Sequence, residues 1–250
     1  MLDRRFASTA SESGVMIYMP GIAGNSFLLP MRSLLFILTG FLLFFISSSP
    51  FYELSKWWTI ICIICNILTI AILLVICRSK EITFSSFINY SKGKTTVKSV
   101  VVTVLVMLVV GLAGLFLVGL LVYGVVPHLP KYLIQPMPAW VLVVSILFLP
   151  LTTVIAEDGL YLGAINQSDS ELTVALSALF YAIQHSFIPL VPDFLFMLYR
   201  FMAFLPLAIV MCAWYRKTKN PLPFMIGHFV LNIASVSQII AITVSPSIFG

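Results

Sequence analysis

AWVLVVSILFLPLTTVIAEDGLYLGAI, residues 139–165, is a predominantly apolar run that carries two adjacent acids, Glu157 and Asp158, in its second half. A helix needs about 20 apolar residues to cross a bilayer, and this run supplies them. An insertion scale charges roughly 2.5–3.5 kcal/mol for a carboxylate such as Asp at the centre of a spanning helix. Acids kept there face a protein interior or a wet cavity, so the pair reads as a functional site.

The rest of the chain repeats the apolar pattern. Of 250 residues 60% are hydrophobic and 9% charged, and mean hydropathy is +1.09. Soluble domains carry about 25% charge, so this is a polytopic membrane protein. Apolar runs fall at Ser33–Ser48, Trp57–Cys77, Val100–Val126, Ala139–Ile165, Leu172–Leu190, Phe194–Tyr215 and Leu222–Val244. They predict an all-α fold of about seven transmembrane helices. Continuous apolarity without period-2 alternation excludes an outer-membrane barrel. The organisation expected is an amino-terminal tail over 1–32, three accessory helices over 33–126 and a helical core over 139–244.

Seven spans put Arg32, Arg78, Lys80, Lys92, Lys94, Lys98, Arg216, Lys217 and Lys219 on one side, against Lys56 and Lys131 on the other. By the positive-inside rule the amino terminus is cytoplasmic. In the tail, Arg4 and Arg5 before Val15–Met19 resemble a signal peptide only faintly, because Pro20 cuts the apolar run. Cys62 and Cys65 have CxxC spacing, yet no second pair and no histidine lies near. With Cys77 and Cys212 they read as small apolar residues. No basic face interleaved with aromatics exists, so nucleic acid is not an expected partner; the bilayer is.

Three polar clusters share the last half of the chain. Glu157 stacks over Tyr161 and Asp158 over Leu162, while Gly159 and Gly163 form a small-xxx-small stripe open to close helix approach. The two acids, about 100° apart on the helix, point to different places. Pro150, one heptad upstream, is expected to kink this span. Tyr181 and His185 share a face of the fifth span, and His228 and Asn232 a face of the seventh. His128, between Pro127 and Pro130, is given no role.

One acid, two histidines and one amide on three helices suit hydrolysis better than packing. Peptide hydrolysis needs a base for water and donors for the oxyanion. A glutamate screened from water is suited to take and return a proton. His228 and Asn232, side by side at i,i+4, are both able to donate to one oxyanion. An interhelical hydrogen-bonding role and a proton or cation site in a transporter remain the alternatives.

These residues resemble the CPBP (Abi) family, which holds the type II CAAX prenyl endopeptidases and bacterial proteins of bacteriocin processing or immunity. Its EExxxR motif appears as Glu157-Asp158-Gly159-Leu160-Tyr161-Leu162, with aspartate for the second glutamate, its FxxxH as Tyr181-xxx-His185, with tyrosine for phenylalanine, and its HxxxN intact as His228-xxx-Asn232. The resemblance covers about 139–240. It implies an intramembrane endopeptidase that cuts membrane-associated or lipidated peptides from a cavity open to the cytoplasm, in a bacterial cell membrane. Glu157 would be the base on water with His185 assisting; His228 and Asn232 would form the oxyanion site, with Asp158, Tyr161 and Tyr181 in support. The family chemistry is metal-free, so no cofactor is expected, although Glu157, His185 and His228 would also make a thermolysin-type zinc set.

Leu162 stands where the family has arginine. Asp158 therefore lacks its neighbour and is expected to be protonated or to pair elsewhere, with Arg200 of the sixth span as one source. A catalytically impaired scaffold or immunity factor is the second reading. Depth poses one further question. His185 lies about 20 Å from its span end, against about 10 Å for Glu157 and His228. Either the fifth span is misplaced or part of 163–172 is helical and buried.

Overall fold

The computed structural model describes residues 28–124, 136–168 and 170–244, with side chains to 237. Residues 1–27 of the amino-terminal tail and the loop containing His128 and Lys131 lie outside the described residues; residues 28–32 of that tail are packed inside the bundle, and α1 begins at Met31. All regular structure there is helical: α1 (Met31–Ser47), α2 (Phe51–Leu54), α3 (Trp58–Ser79), α4 (Phe84–Phe87), α5 (Val97–Tyr123), α6 (Ala139–Gln167), α7 (Glu171–His185), α8 (Phe194–Thr218) and α9 (Leu222–Val244). A 3₁₀ turn, Ser55–Trp57, joins α2 to α3.

Seven long helices thus occupy the seven predicted runs. Four stretches are long and apolar enough to cross a membrane: Phe51–Ser79, Val97–Tyr123, Ala139–Gln167 and Phe194–Thr218. The apolar helices Met31–Ser47 and Leu222–Ser237 are shorter, and α7 has only 15 residues.

Local chemistry sets the helix ends. Thr96 and Ser99 close a reciprocal capping box on α5, Ser170 accepts from the Thr173 amide at α7, and Asp193 accepts from the Phe196 amide at α8. Gly124 ends α5 at φ 70°, a conformation that glycine adopts without strain. The helix α6 runs unbroken through Pro150.

Packing is closest between α7 and α8, α3 and α6, and α5 with both α8 and α9; α1 leans on α3 and α7. Asn66 ties α3 to α6 by donating to Thr152 (3.1 Å) and Thr153 (2.9 Å). The glycine stripe of α6 receives rings from the four-residue α4, with Leu73 of α3 also beside Gly159. A Cβ on Gly159 would meet Phe84 at 2.8 Å, and one on Gly163 would overlap the Phe87 ring.

The α3–α5, α6–α7 and α8–α9 connections gather at one end of the bundle. There Asn89 and Lys94 donate to the Lys219 carbonyl, and Asn166 donates to that of Phe87. Arg78, Lys80, Lys92, Lys94, Lys98, Arg216, Lys217 and Lys219 all belong to this lysine-rich end. Arg32 does not, so one of the nine orienting charges is removed. The main packed cluster, including Leu160, Tyr161, Phe87, Tyr215 and Phe224, fills the bundle on this side of Glu157.

The depth question is answered by α6. Its helix continues through Gly163, Ala164 and Ile165, all buried, to Gln167, which sets Glu157 ten residues, or about 15 Å, from the end. Part of the 163–172 stretch is helical and buried, and the start of the fifth helix was placed within one residue.

Candidate active site

Glu157 is 1% exposed and Asp158 fully buried, and as sequence neighbours they turn to different partners. Glu157 faces α1. Its Oε1 accepts from Arg32 Nη2 at 2.9 Å, while Oε2 is buried without a hydrogen bond among the described residues. Arg32 itself is fully buried. It also donates from Nε to Gln184 Oε1 (2.6 Å) and from Nη1 to Thr69 Oγ1 (3.2 Å). Gln184 Oε1 accepts a second, weaker bond from Tyr161 (3.3 Å), so Tyr161 acts on the site through Gln184 and Arg32.

Asp158 faces α9. Its Oδ1 lies 3.0 Å from His228 Nδ1, which fixes the ring and directs Nε2 toward Glu157 Oε2 at 3.8 Å and the Tyr181 hydroxyl at 3.4 Å. The pairing of Asp158 with Arg200 does not occur. Arg200 donates instead to the His185 carbonyl at 3.4 Å, and its guanidinium lies 4.7 Å from the Phe204 ring centre.

His185 Nδ1 donates to the Tyr181 carbonyl at 2.7 Å, leaving Nε2 as the free ring nitrogen. Its ring stacks on Phe204 with centroids 3.7 Å apart. The Tyr181 ring lies between the two histidines, at 5.2 Å from His185 and 6.0 Å from His228. Asn232 Nδ2 has no hydrogen-bond partner among the described residues.

A cavity of about 160 Å³ collects these groups: Glu157, Tyr181, His185, His228 and Asn232 all line it. The four residues expected to be catalytic therefore share one cavity, with Tyr181 beside them. Asp158 and Tyr161 stand behind it, each reaching the site through another side chain. The remaining wall includes Trp58, Leu112, Phe116, Leu149, Tyr199 and Ser235, from the helix halves remote from the lysine-rich end. The cavity extends from Glu157 away from that end, opposite to the cytoplasmic access expected from the sequence.

Among the described residues no three His, Cys, Asp or Glu side chains are arranged to hold a metal ion. In this arrangement Arg32 holds one oxygen of Glu157, and the Nδ1 atoms of His185 and His228 face Tyr181 and Asp158.

Arg32, Gln184 and Thr69 were not recognised from sequence. Arg32 counted there as an orienting charge. The signal lay in the apolar run after it, too short to span a bilayer, which places its first turn at depth.

Residues 135–234 match the family model of the type II CAAX prenyl endopeptidase Rce1-like proteins, in agreement with the motifs read from the sequence. The match covers α6, α7, α8 and the first half of α9. No curated protein and no solved structure matches the chain.

Proposed function

We propose that this chain, with its type II CAAX prenyl endopeptidase-like segment, is a multi-pass intramembrane endopeptidase that hydrolyses peptide bonds of lipidated or membrane-associated peptides. One observation carries the reading. Glu157 presents a buried, unpartnered Oε2 to the cavity that also holds His185, His228 and Asn232.

Arg32 grips Oε1, so Glu157 is oriented and charge-compensated while Oε2 receives water. Water bound by Oε2 and the free Nε2 of His185 gives a proton to Glu157 as its oxygen attacks the carbonyl carbon. Protonated His228, balanced by Asp158, donates its Nε2–H to the developing oxyanion, and Asn232 Nδ2 supplies a second donor. Glu157 then returns the proton to the leaving amine as the C–N bond breaks.

Arg32 supports activity over the impaired-scaffold reading, because it orients and charge-compensates Glu157, while His228 stands beside Asp158 where Leu162 leaves that acid without the motif arginine. The lysine-rich end is assigned to the cytoplasm by its charge, in a bacterial cell membrane. Processing of CAAX-type carboxyl termini follows the matched family; bacteriocin maturation or immunity is the alternative setting.

In nanodiscs, a quenched S-farnesylated peptide should be cut by the wild type. Glu157→Gln should lower the rate by at least roughly 10²-fold with unchanged thermal unfolding. On this metal-free reading a chelator should change the rate less than about twofold. Equal rates for Glu157→Gln and wild type would end the endopeptidase proposal.

A further inference from the structure

The cavity wall carries a hydroxyl that this chemistry does not use. Tyr181, on α7, is fully buried, and its ring makes a T-shaped contact with Tyr161 at 5.4 Å besides lying between the two histidines. Those contacts account for an aromatic ring. They do not account for the oxygen, since phenylalanine, the residue of the FxxxH motif, would fill the same space. A buried hydroxyl left without a partner costs free energy. Among the described residues the partner that the Tyr181 hydroxyl meets is His228 Nε2, at 3.4 Å. That is longer than the roughly 2.7–3.2 Å of a well-formed N–H···O bond.

The spacing suits a shared task better than a mutual bond. Two donors 3.4 Å apart are able to grip one acceptor, because an oxygen about 2.8 Å from each closes a triangle with them. Tyr181 and His228 both line the cavity, as does Asn232, whose Nδ2 has no partner among the described residues. Asp158 holds the far side of the His228 ring at Nδ1, so Nε2 is the nitrogen turned to the cavity, 3.8 Å from Glu157 Oε2. An oxygen held between Nε2 and the phenol therefore lies next to the carboxylate that receives water. In the empty site the phenol oxygen accepts from protonated His228. When negative charge develops on the carbonyl oxygen, Nε2–H moves to it, and the phenol O–H rotates about its C–O bond to donate to the same atom. Tyr181 keeps its proton throughout. Fixed donors in a site screened from water need little rearrangement at that moment.

We propose that Tyr181 is a further catalytic residue, its hydroxyl a third donor to the oxyanion beside His228 and Asn232. The proposal rests on the endopeptidase reading above.

Tyr181→Phe removes one oxygen and keeps the ring. With the full-length protein in nanodiscs and the S-farnesylated peptide, kcat per folded enzyme should fall about 10- to 100-fold, as for other oxyanion donors. KM should change less than about twofold, because the bond forms only in the transition state. A kcat equal to that of the wild type would overturn the proposal. So would a fall in kcat matched by a rise in KM and a lower unfolding temperature, since that marks a structural role. A second measurement is independent of turnover: displacement of a labelled peptide by a peptide phosphonamidate, whose anionic tetrahedral phosphorus resembles the intermediate. Tyr181→Phe should weaken the phosphonamidate at least about tenfold. It should leave binding of the intact peptide to Glu157→Gln unchanged. Equal phosphonamidate affinity in Tyr181→Phe and wild type, or an equal loss on both ligands, overturns the assignment. If the phosphonamidate depends on Tyr181 but the wild type cuts nothing, the anion site stands and the endopeptidase reading alone fails.

Discussion

The carboxyl-terminal helices α6 to α9, within the family match, bring the acid, both histidines and the amide. The amino-terminal helices α1 and α3, outside it, bring Arg32 and Thr69. The first group supplies the atoms proposed to react and the second holds one of them in place. The cation beside Glu157 comes from 125 residues upstream, while Asp158, which lacks the motif arginine, meets His228. Position in space, not position in the motif, is what the carboxylate requires.

Removing Arg32 is the strongest way to break this division. Arg32→Met strands Glu157 as an unpaired buried charge, and should destabilise the fold by about 3–5 kcal/mol. Denaturation in detergent checks this. Arg32→Met with Glu157→Gln should recover much of the loss, and additive losses would show that the two groups are independent.

Asp158→Asn probes the carboxyl-terminal group by itself. It keeps the shape but removes the charge behind His228, so kcat should fall roughly 10- to 100-fold, in line with general acid–base contributions, with KM little changed. A fall confined to KM would mean that Asp158 acts on substrate binding.

The smallest effect tests the seam between the groups. Gly163→Ala drives a methyl into the Phe87 ring and should cost about 1–3 kcal/mol in thermal unfolding, while the folded fraction keeps its activity. Unchanged stability would show that α4 yields easily.

Spacing and the motif resemblance singled out Glu157, His185, His228 and Asn232, and all four line one cavity, since i,i+4 positions on a helix share a face. They could not pair Asp158. Neighbours on a helix diverge by about 100°, and only the packing of α9 against α6 decides that His228, not Arg200, is met. The glycine stripe foretold a close approach but not its source, since Phe84 and Phe87 lie in a polar connection that reads as loop. Arg32 was hidden by its own plausibility: an arginine at the head of an apolar helix ordinarily marks the membrane surface.

Because α1 begins beside Glu157, its first turn lies about 15 Å inside the bundle, with Leu28 and Leu29 buried just ahead of it. Seated alone in lipid, that turn would expose a guanidinium and unpaired backbone groups. Its berth is built from Thr69, Glu157 and Gln184, the last two emerging from the ribosome long afterwards. The helix α1 thus settles only after α7 has been made, and Glu157 acquires its counter-ion when α1, α3, α6 and α7 have come together.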